Sequence, residues 1–93
     1  MKSVRVVTLL FALAVISAGP VMAQDHAVLP AGEGRDVMIR VCSGCHSPDN
    51  AAQQSLDAAG WKALVDQMAD NGAKASDEEF DTITKYLTKA FPK

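Results

Sequence analysis

The chain has 93 residues, 48% of them apolar, with nine basic against eleven acidic side chains, two cysteines and five aromatics. That length allows one small domain and little more. A formal charge of −2 with no basic cluster argues against a nucleic-acid surface, which needs a positive face.

At the N-terminus Lys2 and Arg5 flank the start of an apolar run, Val6 to Ile16, broken only by Thr8, and Gly19-Pro20 leads into the small-residue ending Val21-Met22-Ala23. The pattern predicts a secretory signal peptide over residues 1–23, cleaved after Ala23. As a helix the run would reach only roughly 17 Å against a hydrocarbon core of about 30 Å, so an uncleaved anchor is the weaker reading. The residue immediately after Ala23 is Gln24 and not a cysteine that could accept a lipid. The mature chain from Gln24 then has no membrane span, and eleven of its apolar side chains are alanines. A core that thin seldom stabilises so short a domain without a staple.

Residues 24–33 read as a polar N-terminal extension in which His26 is solvated, and residues 34–93 as the domain itself. A first helix is predicted from about Gly34 to Val41, with Val37, Met38 and Val41 as its apolar face. It runs into Cys42-Ser43-Gly44-Cys45-His46, and Cys-x-x-Cys-His is the attachment motif of a c-type haem. Cysteines three apart on a helical turn lie on one side of it, so their sulfurs can add to the two vinyl groups of one porphyrin. The next residue then places an imidazole under the iron. A thioredoxin-like dithiol would sit beside a βαβ pattern, and this chain has no strand-like run. A zinc site wants four ligands, and only Cys42, Cys45, His46 and His26 offer themselves. A disulfide closing so short a loop would contribute little and leave His46 unexplained. The expected cofactor is therefore one haem c, bound covalently through Cys42 and Cys45, with His46 on the iron; the macrocycle would be the missing staple.

The segment from Ser47 to Leu56 reads as loop. A second helix is predicted from about Ala58 to Asn71, with Asp57 as N-cap and Asn71-Gly72 as stop signal. Trp61, Leu64, Val65 and Met68 fall at i, i+3, i+4 and i+7 on one of its faces. An iron held by one histidine has a sixth position, and what fills it separates an electron carrier from a ligand-binding protein. Met38, four residues before Cys42 on the motif's own helix, belongs to the proximal side. Met68, the methionine that follows the motif, is assigned as the distal ligand. Trp61, two turns before it, is placed against the porphyrin with its N–H toward a haem propionate, plain core packing being the other reading. Ser76 and Glu79 form a capping box at the start of a last helix, where Asp77, Glu78 and Glu79 complement the positive end of the dipole. Phe80, Ile83, Tyr86, Leu87 and Ala90 make its buried stripe, and Pro92 marks its end.

With these residues the chain resembles the small monohaem class I c-type cytochromes. Gly34 and Met38 stand eight and four residues before Cys42, where the family commonly has a glycine and a large apolar or aromatic residue, and Tyr86-Leu87 looks like the usual pair on the partner helix. The stretch Trp61 to Gly72 is similar to a narrower group, the cytochrome subunits or domains that accept electrons from periplasmic dehydrogenases of the sulfite dehydrogenase or quinohaemoprotein type. The resemblance covers about Gly32 to Pro92. It implies an all-α fold, a small cytochrome c fold of about three helices wrapped around one covalently attached haem, placed in the periplasm. The function it implies is single-electron transfer with redox partner proteins, a dehydrogenase as donor, rather than enzymatic turnover. The alternative of another class is a haem-based sensor or gas-binding module with an open or displaceable sixth ligand; a peroxidase-type haem is weaker still, for want of a second domain. One departure stands out: many class I cytochromes have a proline between motif and axial methionine whose carbonyl accepts from the proximal imidazole, and none lies between Asp49 and Met68. Pro48 is too close to His46 to substitute, so the second-shell partner of His46 is not readable.

Overall fold

Three helices and one 3₁₀ helix carry the fold of the computed structural model, which describes residues 25–93. The predicted signal peptide, residues 1–23, lies outside the described residues. In chain order come α1 (Arg35–Cys42), the 3₁₀ helix (Pro48–Gln53), α2 (Ala58–Asp70) and α3 (Asp77–Ala90). No strand occurs among the described residues, and this part of the chain is all-α.

Local chemistry explains where α2 and α3 begin. Asp57 takes the N-cap of α2, its carboxylate accepting from the Gly60 N–H at 2.8 Å. Ser76 caps α3 through the Glu79 N–H, while the Glu79 carboxylate accepts from the Ser76 N–H, both at 3.1 Å, which completes the capping box. α1 has no side-chain cap and enters instead through Gly34 at φ 91°. A Cβ there would lie 3.0 Å from both Cγ2 and O of Thr82 and 3.1 Å from Cβ of Tyr86. The missing side chain therefore lets the start of α1 lie directly on α3, and the positive φ suits glycine as well.

α3 is the common support. α1 and α2 each pack on it and hardly on each other. The buried core comprises Leu29, Met38, Val41, Trp61, Val65, Ile83, Tyr86 and Leu87, with Phe80 and Ala90 of the expected stripe only partly buried against it.

Three expectations are corrected. Residues 48–53, read as loop, form a 3₁₀ helix: the Ser47 hydroxyl accepts from the Asp49 N–H and Pro48 sits in the first turn, where its missing N–H costs nothing. The segment before Gly34 is built into the domain. Leu29 is 3% exposed, the Tyr86 hydroxyl donates to the Pro30 carbonyl at 2.6 Å, and the Arg35 guanidinium donates to the carbonyls of Asp25, His26 and Leu29. Finally, His26 is not solvated. Its side chain is 10% exposed, with Nδ1 2.7 Å from Oδ1 of Asp49.

A candidate cofactor cleft

Because α1 and α2 both rest on α3 without closing on each other, a cleft remains between them. It encloses about 530 Å³ of space, the part open to solvent included. Met38, Cys42 and His46 line it from the α1 side, Trp61, Leu64, Val65 and Met68 from α2, and Phe80, Ile83 and Leu87 from α3. The 3₁₀ helix and its C-cap add Asn50 and Gln54, and the lining is otherwise almost wholly apolar.

Cys42, the last residue of α1, is half-buried in this lining. Burial first, and then the neighbouring Cys45, push its thiol pKa above the ordinary value, so at neutral pH it is protonated. Cys45 is exposed and is not part of the lining. Past Cys42 the helix loosens into a turn whose N–H groups, those of Cys45 and His46, reach the Cys42 carbonyl at only 3.4 and 3.5 Å. Both thiols are free.

The His46 ring is engaged through one nitrogen. Nδ1 lies 3.1 Å from the Ser47 carbonyl and 3.4 Å from the Asn50 side-chain amide. An Nδ1–H that donates to Ser47 can meet Asn50 only through the amide oxygen, with that amide turned over. Among the described residues no partner engages Nε2, and this tautomer leaves its lone pair available. The partner of His46 that sequence could not name is thus its own neighbour's carbonyl, with the side chain of Asn50, in the 3₁₀ helix that follows, beside it. Asn50 is the site residue that sequence reading missed; it reaches the ring only because the chain folds back at extended Ser47 into the 3₁₀ helix, which no local pattern around His46 announces.

Met68 is half-buried and lines the same cleft as Cys42 and His46. Met38 also lines it but is 1% exposed and packed into the core. Trp61 requires a correction. Its ring lines the cleft, yet Nε1–H donates to the Phe91 carbonyl at 3.0 Å and the residue is fully buried, so the donor assigned to a propionate is already used within the protein. The indole also packs on the Phe91 ring, centroids 6.3 Å apart and planes tilted by 50°.

The residues present fit a large apolar group with a metal at its centre. The cleft supplies apolar walls, one imidazole with an unpartnered nitrogen, one thioether and one of the two thiols. Among the described residues no three side chains of His, Cys, Asp or Glu gather into a metal-binding group, and His26, which a zinc site would need, is spent on Asp49. No family model, no curated protein and no solved structure matches the chain. The family resemblance therefore stands on these residues alone.

Proposed function

We propose that this chain is an exported single-electron carrier that holds one haem c through Cys42 and Cys45, with His46 and Met68 as axial ligands. The observation that carries the reading is that one apolar cleft gathers Cys42, His46 and Met68, residues spread over 26 positions of sequence and two helices. Cys42 and Cys45 would hold the group by addition of each thiol across one vinyl group, sulfur to one carbon and hydrogen to the other, which would consume no oxidant but would require both thiols reduced. When bound, the group supplies a ferric/ferrous couple, and a thioether ligand raises its potential. The rest is done by the chain. His46 would offer Nε2 while the Ser47 carbonyl holds Nδ1, Met68 would offer its thioether, and the apolar α2 and α3 side chains would exclude water. In this reading the protein is not an enzyme in its own right. It works in the periplasm and accepts electrons from a partner dehydrogenase.

The test separates the two methionines. Ferric wild-type protein should show the weak near-infrared charge-transfer band of thioether-to-iron ligation. Met68→Ala should abolish the band and lower the potential, while Met38→Leu should preserve it. The opposite pattern would exchange the proximal and distal assignments, and a wild-type protein without the band would return the sixth site to a displaceable ligand.

A further inference from the structure

His26 and Asp49 form the side-chain pair that ties the N-terminal segment to the 3₁₀ helix, across 23 residues of sequence. His26 is a non-glycine residue at φ 49°, a left-handed conformation that L side chains rarely adopt and that persists only where surrounding contacts over-determine it. The contacts are there. The His26 carbonyl accepts from the Leu29 N–H at 2.8 Å and from the Arg35 guanidinium at 3.1 Å, and the same guanidinium holds the Asp25 and Leu29 carbonyls. The ring is thereby aimed at Asp49, and Nδ1 can donate to that carboxylate in the neutral or the charged imidazole.

Asp49 sits in the first turn of the 3₁₀ helix, between the two groups that meet the His46 ring: Ser47, whose carbonyl faces Nδ1, and Asn50, whose amide lies beside it. The Ser47 hydroxyl in turn accepts from the Asp49 N–H, and the Asn50 N–H donates to the Ser47 carbonyl at 3.3 Å. Besides the clasp, the 3₁₀ helix is fixed by buried Pro48 and by half-buried Ala51, which packs on the core, while Asn50 and Gln53 are exposed.

We infer that the His26–Asp49 clasp is a positioning device for His46: it anchors the first turn of the 3₁₀ helix, and so holds the Ser47 carbonyl and the Asn50 amide against Nδ1 while Nε2 stays free. The inference deepens the proposed haem reading and rests on it for the metal, though the clasp itself does not. Among the described residues the His26 ring hydrogen-bonds to Asp49 and to none of Cys42, Cys45, His46 or Met68; it acts through Asp49.

The experiment is hydrogen exchange by NMR on the full exported chain, ferrous where haem is present, for wild type, His26→Gln, Asp49→Ala and the double variant. Intact mass of each sample reports the haem separately. In wild type the His26 Nδ1–H should be protected like the Leu29 amide. In either single variant the His46 Nδ1–H and the Asn50 amide should exchange about tenfold faster or more, as befits loss of a hydrogen bond to a charged group. The double variant should add little, amides of α3 such as that of Leu87 should be unchanged, and the potential should shift equally in both single variants. A rapidly exchanging His26 Nδ1–H in wild type, additive effects, equal loss of protection in α3, or an unaltered His46 Nδ1–H would each overturn the inference. A wild-type chain without haem that still shows the clasp-dependent pattern at His46 would overturn the haem reading and support the clasp.

Discussion

The two sides of the cleft are held in different ways. On the α2–α3 side each helix carries its own N-cap, Asp57 or Ser76 with Glu79, and Trp61 is buried completely while its N–H reaches the Phe91 carbonyl. On the other side α1 has eight residues and no side-chain cap, the strap before it is fastened by Arg35, Tyr86 and His26, and Cys45 and His46 are exposed. The side with the reactive residues is the one less complete in its own contacts. In physical terms, the motif lies where the polypeptide has not finished its core, which is where a large apolar group would add most.

The contrast can be broken most severely from the α2–α3 side. Trp61→Ala removes the largest fully buried side chain and should cost about 3–5 kcal/mol in urea unfolding. Trp61→Phe should cost only about 1 kcal/mol, because the Phe91 carbonyl keeps the Leu56 N–H as a partner at 3.2 Å, and the pH dependence of the potential should not change. A changed pH profile would restore the propionate role that the structure removes from this indole.

Gly34→Ala attacks the seam between the two sides. The new methyl would meet Thr82 and Tyr86 at 3.0–3.1 Å in a left-handed backbone, so a loss of about 2–3 kcal/mol is expected from strain and overpacking together. Equal stability of variant and wild type in chemical denaturation would mean that α1 does not approach α3 as closely as described.

The smallest effect is at Glu79, which joins the two sides through its ion pair with Arg40 while capping α3. The Ser76 backbone N–H first, and then Arg40, hold its carboxyl below the ordinary carboxylate range. A carboxylate depressed in the folded state contributes stability above its unfolded pKa of about 4.3 and loses it as pH falls through the lower folded value. Melting temperature followed from neutral pH downward should therefore fall below about pH 4 in wild type, and less steeply in Glu79→Gln. Parallel curves would show that the capping pair carries no acid sensitivity.

What was legible in the sequence is what local chemistry writes. The Asp57 cap, the Ser76–Glu79 capping box and the i, i+3, i+4, i+7 face of α2 placed the helices to within a residue or two. The same locality makes Cys-x-x-Cys-His readable. Long-range partners were not readable: nothing near Trp61 announces a carbonyl thirty positions later, nor anything near His26 a carboxylate at Asp49. The 3₁₀ helix was a different kind of miss, since Ser47-Pro48-Asp49 is a helix-start signal that the surrounding polar residues disguised as loop. Leu29, a single leucine in a polar stretch, has no periodicity to betray its burial.

In the proposed reading the cleft between α1 and α2 receives one haem bound to both cysteines. Intact mass of the chain exported from a host competent for cytochrome maturation tests it most directly. The expected result is the polypeptide mass plus one haem, colour that stays with the protein in acid acetone, and no thiol left to titrate. A colourless protein at the bare polypeptide mass with two titratable thiols would contradict it.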